Sequence, residues 1–202
     1  ATPNNLPTEV PRLHGRSEDL QALRHLVDAH VLVTVVGSGG IGKTHLARAF
    51  AHAELGRYDD GIWWVDLTAV ADASSLVAAI GVTLGVGSQL GDNARSKVIQ
   101  SLRTRRALIV MDNCEHVLSK CADLASDLLK RCPELRILAT SRQRLQISGE
   151  TEWRVPPLEV PPRSIPTDPI EAEALLRGNE ALALFMDRAL RVRSTLATDM
   201  DN

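Results

Sequence analysis

Short apolar runs alternate with amphipathic stretches along most of the chain. Segments 31–36 and 107–111 are unbroken and rich in Val, Ile and Leu, as expected of strands that a parallel sheet buries on both faces. Asp72 and Asp92 precede two of the amphipathic stretches as N-cap residues. This alternation predicts an α/β fold with helices on both faces of the sheet. The predicted strands cover 31–36, 62–65, 107–111, 135–139 and 152–155. One helix is predicted to start at Ser17, and the others cover about 43–55, 72–84, 92–105 and 117–131.

Prolines mark both ends of this α/β unit. Three prolines fall within residues 1–12 and five within residues 156–167, which is typical of linkers and surface loops. We therefore predict an N-terminal linker over 1–16, one α/β domain over 17–158, and a second linker with the start of a helical subdomain over 159–202. The helices predicted in that last part cover 171–177 and 179–193.

The composition is that of an ordinary globular protein and excludes several classes of function. Hydrophobic residues make up 44% of the 202 residues, and the net charge of −2 gives no general attraction to nucleic acid or anionic lipid. Three cysteines without a C-x-x-C pair, and histidines without metal-ligand spacing, argue against a disulfide framework or a zinc site. No apolar run reaches the roughly 18 residues of a membrane span, and the N-terminus lacks a signal-peptide pattern. We therefore expect a cytoplasmic protein that does not contact a membrane, and part of a longer chain because the first residue is not Met.

A glycine-rich segment between the first strand and the next helix carries the clearest chemical signal. Its sequence, Gly37-Ser38-Gly39-Gly40-Ile41-Gly42-Lys43-Thr44, matches the phosphate-binding pattern G-x-x-x-x-G-K-[ST] at every fixed position. The glycines allow backbone N–H groups to turn toward phosphate oxygens, and the following helix directs its N-terminus at the same anion. We predict that Lys43 contacts the β- and γ-phosphates of ATP and that Thr44 binds Mg²⁺. The alternative is a glycine-rich turn without a ligand, which the strand–loop–helix context disfavours.

An acid directly follows the second fully apolar strand. Asp112 comes after 107–111, at the edge where ligands bind in open α/β sheets. We predict that Asp112 supports Mg²⁺, because a Walker-B Asp has this placement; otherwise it only caps the next helix. Many ATPases carry a second acid next, which polarises the attacking water, but here that residue is Asn113. Glu115 could take that role, or could serve only as a charge in the first turn of a helix.

A basic residue follows the next predicted strand. Arg142 comes after 135–139 in the segment Ala-Thr-Ser-Arg. A cation at the same sheet edge could contact the γ-phosphate, and the alternative is a solvated surface arginine. We therefore include Arg142 with Lys43, Asp112 and Glu115 among the candidate catalytic residues.

These segments together resemble the nucleotide-binding core of STAND ATPases of the NB-ARC type. The likeness is greatest to the ATPase module of bacterial LuxR- and AfsR-type transcriptional regulators, and Met-Asp-Asn-Cys-Glu-His at 111–116 is its most specific string. The likeness extends over about residues 6–195. The other matching segments are 13–18, 35–47, 138–142, 149–158 and 179–185.

The resemblance implies more than the residues alone indicate. It implies a P-loop NTPase of the ASCE type, a three-layer sandwich whose parallel five-stranded sheet has the order 5-1-4-3-2. It places Leu13, Gly15 and Arg16 near the adenine. It also implies a switch, in which ADP holds an inactive form and ATP favours a form that signals or self-associates. The helical, winged-helix and effector domains of such proteins are expected outside this chain.

Several functions remain open from the sequence. The leading hypothesis is an ATP/ADP switch with slow Mg²⁺-dependent hydrolysis, within a larger signalling or transcription-regulatory protein. A nucleotide-binding interaction module with negligible hydrolysis is the alternative, and Asn113 favours it. A kinase is a third hypothesis, disfavoured because no Arg-rich lid is evident. Direct nucleic-acid binding is not expected, because the basic run at 103–106 is short and suits a helix C-terminus.

Overall fold

Five parallel strands form one sheet in a computed structural model that describes residues 2–11, 13, 15–86, 93–159, 161, 168–186 and 189. The strands are β1 (Leu32–Val36), β2 (Ile62–Asp66), β3 (Leu108–Asp112), β4 (Arg136–Ser141) and β5 (Glu150–Arg154). Their order is β2-β3-β4-β1-β5, which is the predicted 5-1-4-3-2 read from the other edge. The predicted order is therefore confirmed. β4 lies between β1, which precedes the glycine-rich segment, and β3, which ends at Asp112.

Helices occupy the connections from β1 to β2, β2 to β3 and β3 to β4, and one helix precedes β1 while another follows β5. They are α1 (Ser17–Ala29), α2 (Lys43–Ala53), α3 (Ala73–Thr83), α4 (Ala94–Leu102), α5 (Leu118–Arg131) and α6 (Pro169–Gly178). Asp72 caps α3 as predicted, in a capping box with Ser75. Asp92 lies outside the described residues, and Asn93 is the N-cap residue of α4.

The core lies on both faces of the sheet, as the unbroken apolar strands predict. Along β3, Ile109 and Met111 pack in one cluster with residues of α3, α4 and α5. Leu108 and Val110 enter the opposite cluster with residues of α1 and α2. Because successive strand residues point to opposite faces, this alternation produces three layers, with the sheet between two layers of helices.

The N-terminal residues run along the exposed edge of β2. The amide of Ile62 donates to the carbonyl of Pro3 at 3.0 Å, and Asn5 exchanges two hydrogen bonds with the backbone of Trp64, at 2.7 and 2.8 Å. Leu6 is buried against the α1–α2 side of the sheet. The segment predicted as a linker therefore covers the unpaired groups of an edge strand, which otherwise invite pairing with another chain.

The chain divides into two compact units, residues 1–13 with 17–155, and residues 14–16 with 156–202. The second unit contains α6, which begins after Asp168, whose carboxylate accepts hydrogen bonds from two backbone amides of the first turn. Residues 180–186 are also helical. The remainder of the helix predicted over 179–193 lies outside the described residues, apart from 189. None of the helices in the described part of the chain has the length and apolarity that a bilayer crossing requires.

Candidate functional site

The glycine-rich segment links the carboxyl end of β1 to the first turn of α2. Gly40 and Gly42 have φ values of 79° and 99°, in the left-handed region where side chains are strained. A Cβ on Gly37 would lie 2.8 Å from Cγ2 of Ile41, so the turn is too tight for a larger residue. The amide of Gly37 also donates to the carbonyl of Ser141 in β4 at 3.3 Å. The turn therefore has the glycine-dependent shape of an anion cradle at a helix N-terminus.

Lys43 is held inside this turn. Its side chain is nearly buried, with 7% of the residue exposed. Its Nζ donates to the carbonyl oxygens of Gly37 at 2.9 Å and Ser38 at 3.0 Å. In the described part of the chain it forms no ion pair with an acid. A buried ammonium ion that only carbonyls solvate is a fixed positive charge suited to an incoming phosphate.

Asp112 ends β3 beside the first turn of α2, and only 2% of it is exposed. Its Oδ1 accepts hydrogen bonds from Thr44 Oγ1 at 3.0 Å and from Thr140 Oγ1 at 2.5 Å. Burial raises the pKa of Asp112, the two hydrogen bonds oppose this, and the charges of Asp66 and Glu115 raise it further. A hydroxyl and a carboxylate oxygen thus converge, and hard oxygen donors of this kind suit Mg²⁺.

The donor set fits Mg²⁺ bound together with phosphates better than a metal bound by the protein alone. No group of three or more His, Cys, Asp or Glu side chains suited to a metal occurs among the described residues. Mg²⁺ is commonly held by one or two protein oxygens together with substrate phosphates and water. Thr44 and Asp112 satisfy that requirement beside the phosphate cradle.

A second acid at this edge, Asp66, was not predicted from the sequence. It ends β2 and lies in register with Asp112 on β3. Its carboxylate accepts from the Thr68 hydroxyl at 2.6 Å and the Thr68 amide at 2.9 Å. These hydrogen bonds, chiefly that from the hydroxyl, lower the pKa of Asp66. The available signal was its position directly after a predicted strand, the same position that indicated Asp112.

Asn113 connects the ends of three strands. Its backbone is left-handed, with φ of 64°, and its amide nitrogen donates to Thr140 Oγ1 at 3.0 Å. Its side-chain nitrogen donates to Thr68 Oγ1 at 3.1 Å and weakly to Asp112 Oδ2 at 3.4 Å. The residue therefore orients its neighbours, and its neutral amide has no basic atom to accept a proton from water.

Glu115 and Arg142 face each other at the same edge. Arg142 follows β4, and its Nε lies 3.4 Å from Glu115 Oε1, with side-chain exposures of 69% and 24% respectively. The second carboxylate oxygen, Oε2, is buried without a hydrogen-bond partner among the described residues. A terminal nitrogen of Arg142 lies 3.8 Å from the place a Cβ on Gly39 would occupy. The structure thus brings Arg142 beside the glycine-rich turn and Glu115 beside Arg142.

The residues predicted to lie near the adenine are divided between the two units of the chain. Leu13 packs against the α1–α2 side of the core in the first unit. Gly15 and Arg16 belong to the second. There Gly15 has φ of 63°, and the buried Arg16 donates from its guanidinium to the carbonyl of Pro156 at 2.7 Å.

Comparison with known proteins gives a family and a class of relatives. The model of the NB-ARC domain matches residues 18–159. An uncharacterized protein of Mycobacterium tuberculosis is 35% identical over 187 residues, covering 93% of this chain and 43% of that protein. A candidate HTH-type transcriptional regulator of the same species is 39% identical over 171 residues, covering 85% of this chain and 17% of the regulator. The chain therefore spans less than half the length of these relatives.

Two further similarities bear on the regulator resemblance and on the fold. The regulatory protein AfsR of Streptomyces griseus is 30% identical over 156 residues, covering 71% of this chain and 16% of AfsR. A solved structure of the Drosophila origin recognition complex bound to DNA superposes with a TM-score of 0.57 at 17% identity, covering 70% of this chain and 42% of that one. That last likeness concerns the fold alone. The resemblance to the ATPase module of AfsR-type regulators is confirmed, and the chain belongs to the NB-ARC domain family of nucleotide-binding regulatory ATPase modules.

Proposed function

We propose that this chain is an ATP/ADP switch that binds its nucleotide with Mg²⁺ at residues 37–44 and hydrolyses ATP slowly. The observation that carries the proposal is the convergence of a buried lysine, a hydroxyl and a buried carboxylate at one sheet edge. Lys43 supplies a fixed positive charge, and Thr44 and Asp112 supply oxygens 3.0 Å apart. The experiment that tests it is a titration of the purified chain with ATP and ADP, with and without Mg²⁺.

Each residue of the site has a role in this proposal. The backbone amides of residues 37–44 and the ammonium of Lys43 hold the β- and γ-phosphates. Thr44 and Asp112 hold Mg²⁺, which when bound neutralises charge that develops on the phosphate oxygens. Leu13, Gly15 and Arg16 are proposed to contact the adenine. Thr140 and Asn113 keep the Asp112 carboxylate oriented by the hydrogen bonds described above.

Glu115 is the proposed base for the attacking water. The Glu115 side chain is 24% exposed and its carboxylate can accept a proton from water, whereas the amide of Asn113 cannot. Replacing Glu115 by Gln is expected to lower ATP turnover by about 100-fold, within the usual range for removing a general base, and to leave ADP affinity unchanged. Glu152→Gln is a matched control, since Glu152 lies on β5 and pairs with Arg154.

Turnover also decides between this proposal and the second candidate, an interaction module that binds nucleotide without hydrolysing it. Asn113, in the position after the metal-side acid, favours that candidate. If wild type and Glu115→Gln release phosphate at the same rate, then the base lies elsewhere or is absent. Negligible release by both would make the interaction module the better account.

Arg142 is the proposed γ-phosphate sensor. Its guanidinium lies beside Gly39 and is largely exposed, so reorientation from Glu115 toward a γ-phosphate costs little. A charge-assisted hydrogen bond of this kind contributes about 1.5–3 kcal/mol. We therefore expect Arg142→Ala to weaken a non-hydrolysable ATP analogue by about tenfold to a hundredfold and to leave ADP nearly unchanged.

Paired calorimetric titrations of the ATP analogue and ADP measure this difference. Arg144→Ala is the control, because Arg144 is an exposed arginine two residues further along. A ligand shifts a conformational equilibrium only through differential affinity. Equal losses for the two nucleotides in Arg142→Ala would therefore exclude Arg142 as the sensor.

The whole protein is proposed to be a larger regulator, since the relatives named as regulators extend well beyond the matched region. In that setting the nucleotide would control self-association and an effector domain. Direct DNA binding by this chain is not proposed. We expect no sequence-dependent shift of duplex DNA in a gel at physiological salt, and tight sequence-dependent binding there would contradict this.

A further inference from the structure

A cleft between the C-terminal ends of α4 and α5 carries positive charge that the proposed function does not use. Its volume is about 580 Å³, and its lining consists of Ser96, Ile99, Gln100, Arg103, Lys130 and Arg131. Three of these residues are cations and none is an acid. The cleft therefore concentrates positive charge in a protein whose net charge is −2.

None of the three cations has an acid within ion-pair distance among the described residues. Within the residues the structure describes, Arg103, Lys130 and Arg131 form no ion pair. Arg95, earlier on α4, instead pairs with Asp127 of α5 at 2.7 Å. The same two helices thus form an ion pair between Arg95 and Asp127, and the cations that line the cleft lie outside that pair.

Two of the cations act on a common buried group. The thiol of Cys132 is buried and donates weakly to the carbonyl of Ile99 at 3.7 Å. Burial raises the pKa of Cys132, whereas the positive charges of Arg103 and Arg131 act to lower it. Cys132 thus lies beside the cleft, because Ile99 is one of the residues that line it.

The cleft is separate from the proposed nucleotide site. Arg103 precedes β3 and Arg131 precedes β4, so both lie toward the amino edge of the parallel sheet. The glycine-rich segment follows β1, and Asp112 ends β3. Both therefore lie at the carboxyl edge of the sheet. A ligand in the cleft would therefore not compete directly for the phosphate cradle.

We propose that this cleft is a second ligand site, for a small anion that carries two or three phosphate groups. Its volume lies within the range of small-molecule sites, and Ser96 and Gln100 add neutral hydrogen-bonding groups beside the cations. Three cations are few for a duplex DNA footprint, which normally has a longer basic stripe. The alternative role, stabilisation of the carbonyl ends of two helices, would affect folding stability and not ligand affinity.

Calorimetric titration with tripolyphosphate tests this proposal. The titration uses the Lys43→Ala chain without Mg²⁺ at low ionic strength, so that binding at residues 37–44 is weakened. We expect one molecule bound per chain, and about tenfold weaker binding when Lys130→Gln is added. Lys120→Gln is the matched control, because Lys120 is an exposed lysine on the same helix but outside the cleft; we expect it to leave the affinity unchanged.

Three results would overturn the proposal. The first is that tripolyphosphate does not bind. The second is that the Lys130→Gln and Lys120→Gln chains bind tripolyphosphate with equal affinity. The third is that duplex DNA displaces tripolyphosphate at physiological salt. Thermal unfolding without the anion tests whether the cations only stabilise the helix ends. In that case Lys130→Gln would lower Tm and leave the affinity for tripolyphosphate unchanged. The outcome is independent of the proposed switch, because a chain that fails to bind ATP at residues 37–44 can still bind tripolyphosphate in the cleft.

Discussion

Replacing Lys43 by Ala is expected to weaken both ATP and ADP by about tenfold to a hundredfold or more. The side chain is nearly buried and its ammonium is held by two carbonyls of the glycine-rich turn. A phosphate that enters the turn therefore meets an oriented charge, and a hydrogen bond to a charged group contributes about 1.5–3 kcal/mol. Both nucleotides lose affinity because both carry the β-phosphate, in contrast to the ATP-selective loss expected of Arg142→Ala.

Titration of a fluorescent nucleotide into each variant measures this loss. Lys120→Ala removes an exposed lysine from α5 and serves as the control for net charge. Lys43→Ala also leaves the carbonyl oxygens of Gly37 and Ser38 without their donor. A circular dichroism spectrum and a Tm are therefore needed to show that the Lys43→Ala chain is folded. Unchanged affinity in a folded Lys43→Ala chain would mean that nucleotide binds elsewhere.

Replacing Asp112 by Asn is expected to reduce Mg²⁺-dependent turnover by about 100-fold or more while sparing binding of metal-free nucleotide. The amide oxygen of Asn can still accept from Thr44 and Thr140, so the substitution keeps the local packing and removes the charge. Support for a bound metal supplies several kcal/mol of transition-state stabilisation, and about 2.7 kcal/mol corresponds to 100-fold in rate.

Asp66→Asn is the matched control for this experiment. Asp66 is an acid at the end of the neighbouring strand, but it is exposed and its carboxylate is engaged by Thr68. We expect a smaller loss in Asp66→Asn, measured as phosphate release at saturating Mg²⁺ and ATP. Equal losses in the two variants would mean that the metal is held by both acids, and normal turnover in Asp112→Asn would exclude Asp112 as a metal ligand.

Local signals predicted most of the fold and the centre of the site. The unbroken apolar runs predicted strands that are buried on both faces, because strands of a parallel sheet between two helix layers read as continuous apolar runs. The glycine-rich segment was identifiable because its chemistry is contained in eight consecutive residues. The strand order came from family resemblance, since apolar periodicity does not determine which strands pair.

The contacts that complete the site depend on pairing between distant strands. Thr140 reaches Asp112 only because β4 lies beside β3, and Asp66 lies next to Asp112 only through the register of β2. Neither contact leaves a pattern in one sequence. The pairing of Glu115 with Arg142 likewise joins residues that were predicted separately, as a base and as a sensor. Asn113 was recognised as a departure from other ATPases, but its links to Thr68 and Thr140 required the folded arrangement.

Amide hydrogen exchange with and without Mg²⁺–ADP tests the central claim most directly, because it reports both binding and its location. Exchange slows where amides gain hydrogen bonds or lose local opening. The proposed site predicts strong protection of peptides that contain residues 37–44, and weaker protection of peptides that contain Asp112. Unchanged exchange over residues 37–44 at saturating nucleotide, or protection confined to other parts of the chain, would contradict the assignment of the phosphate cradle.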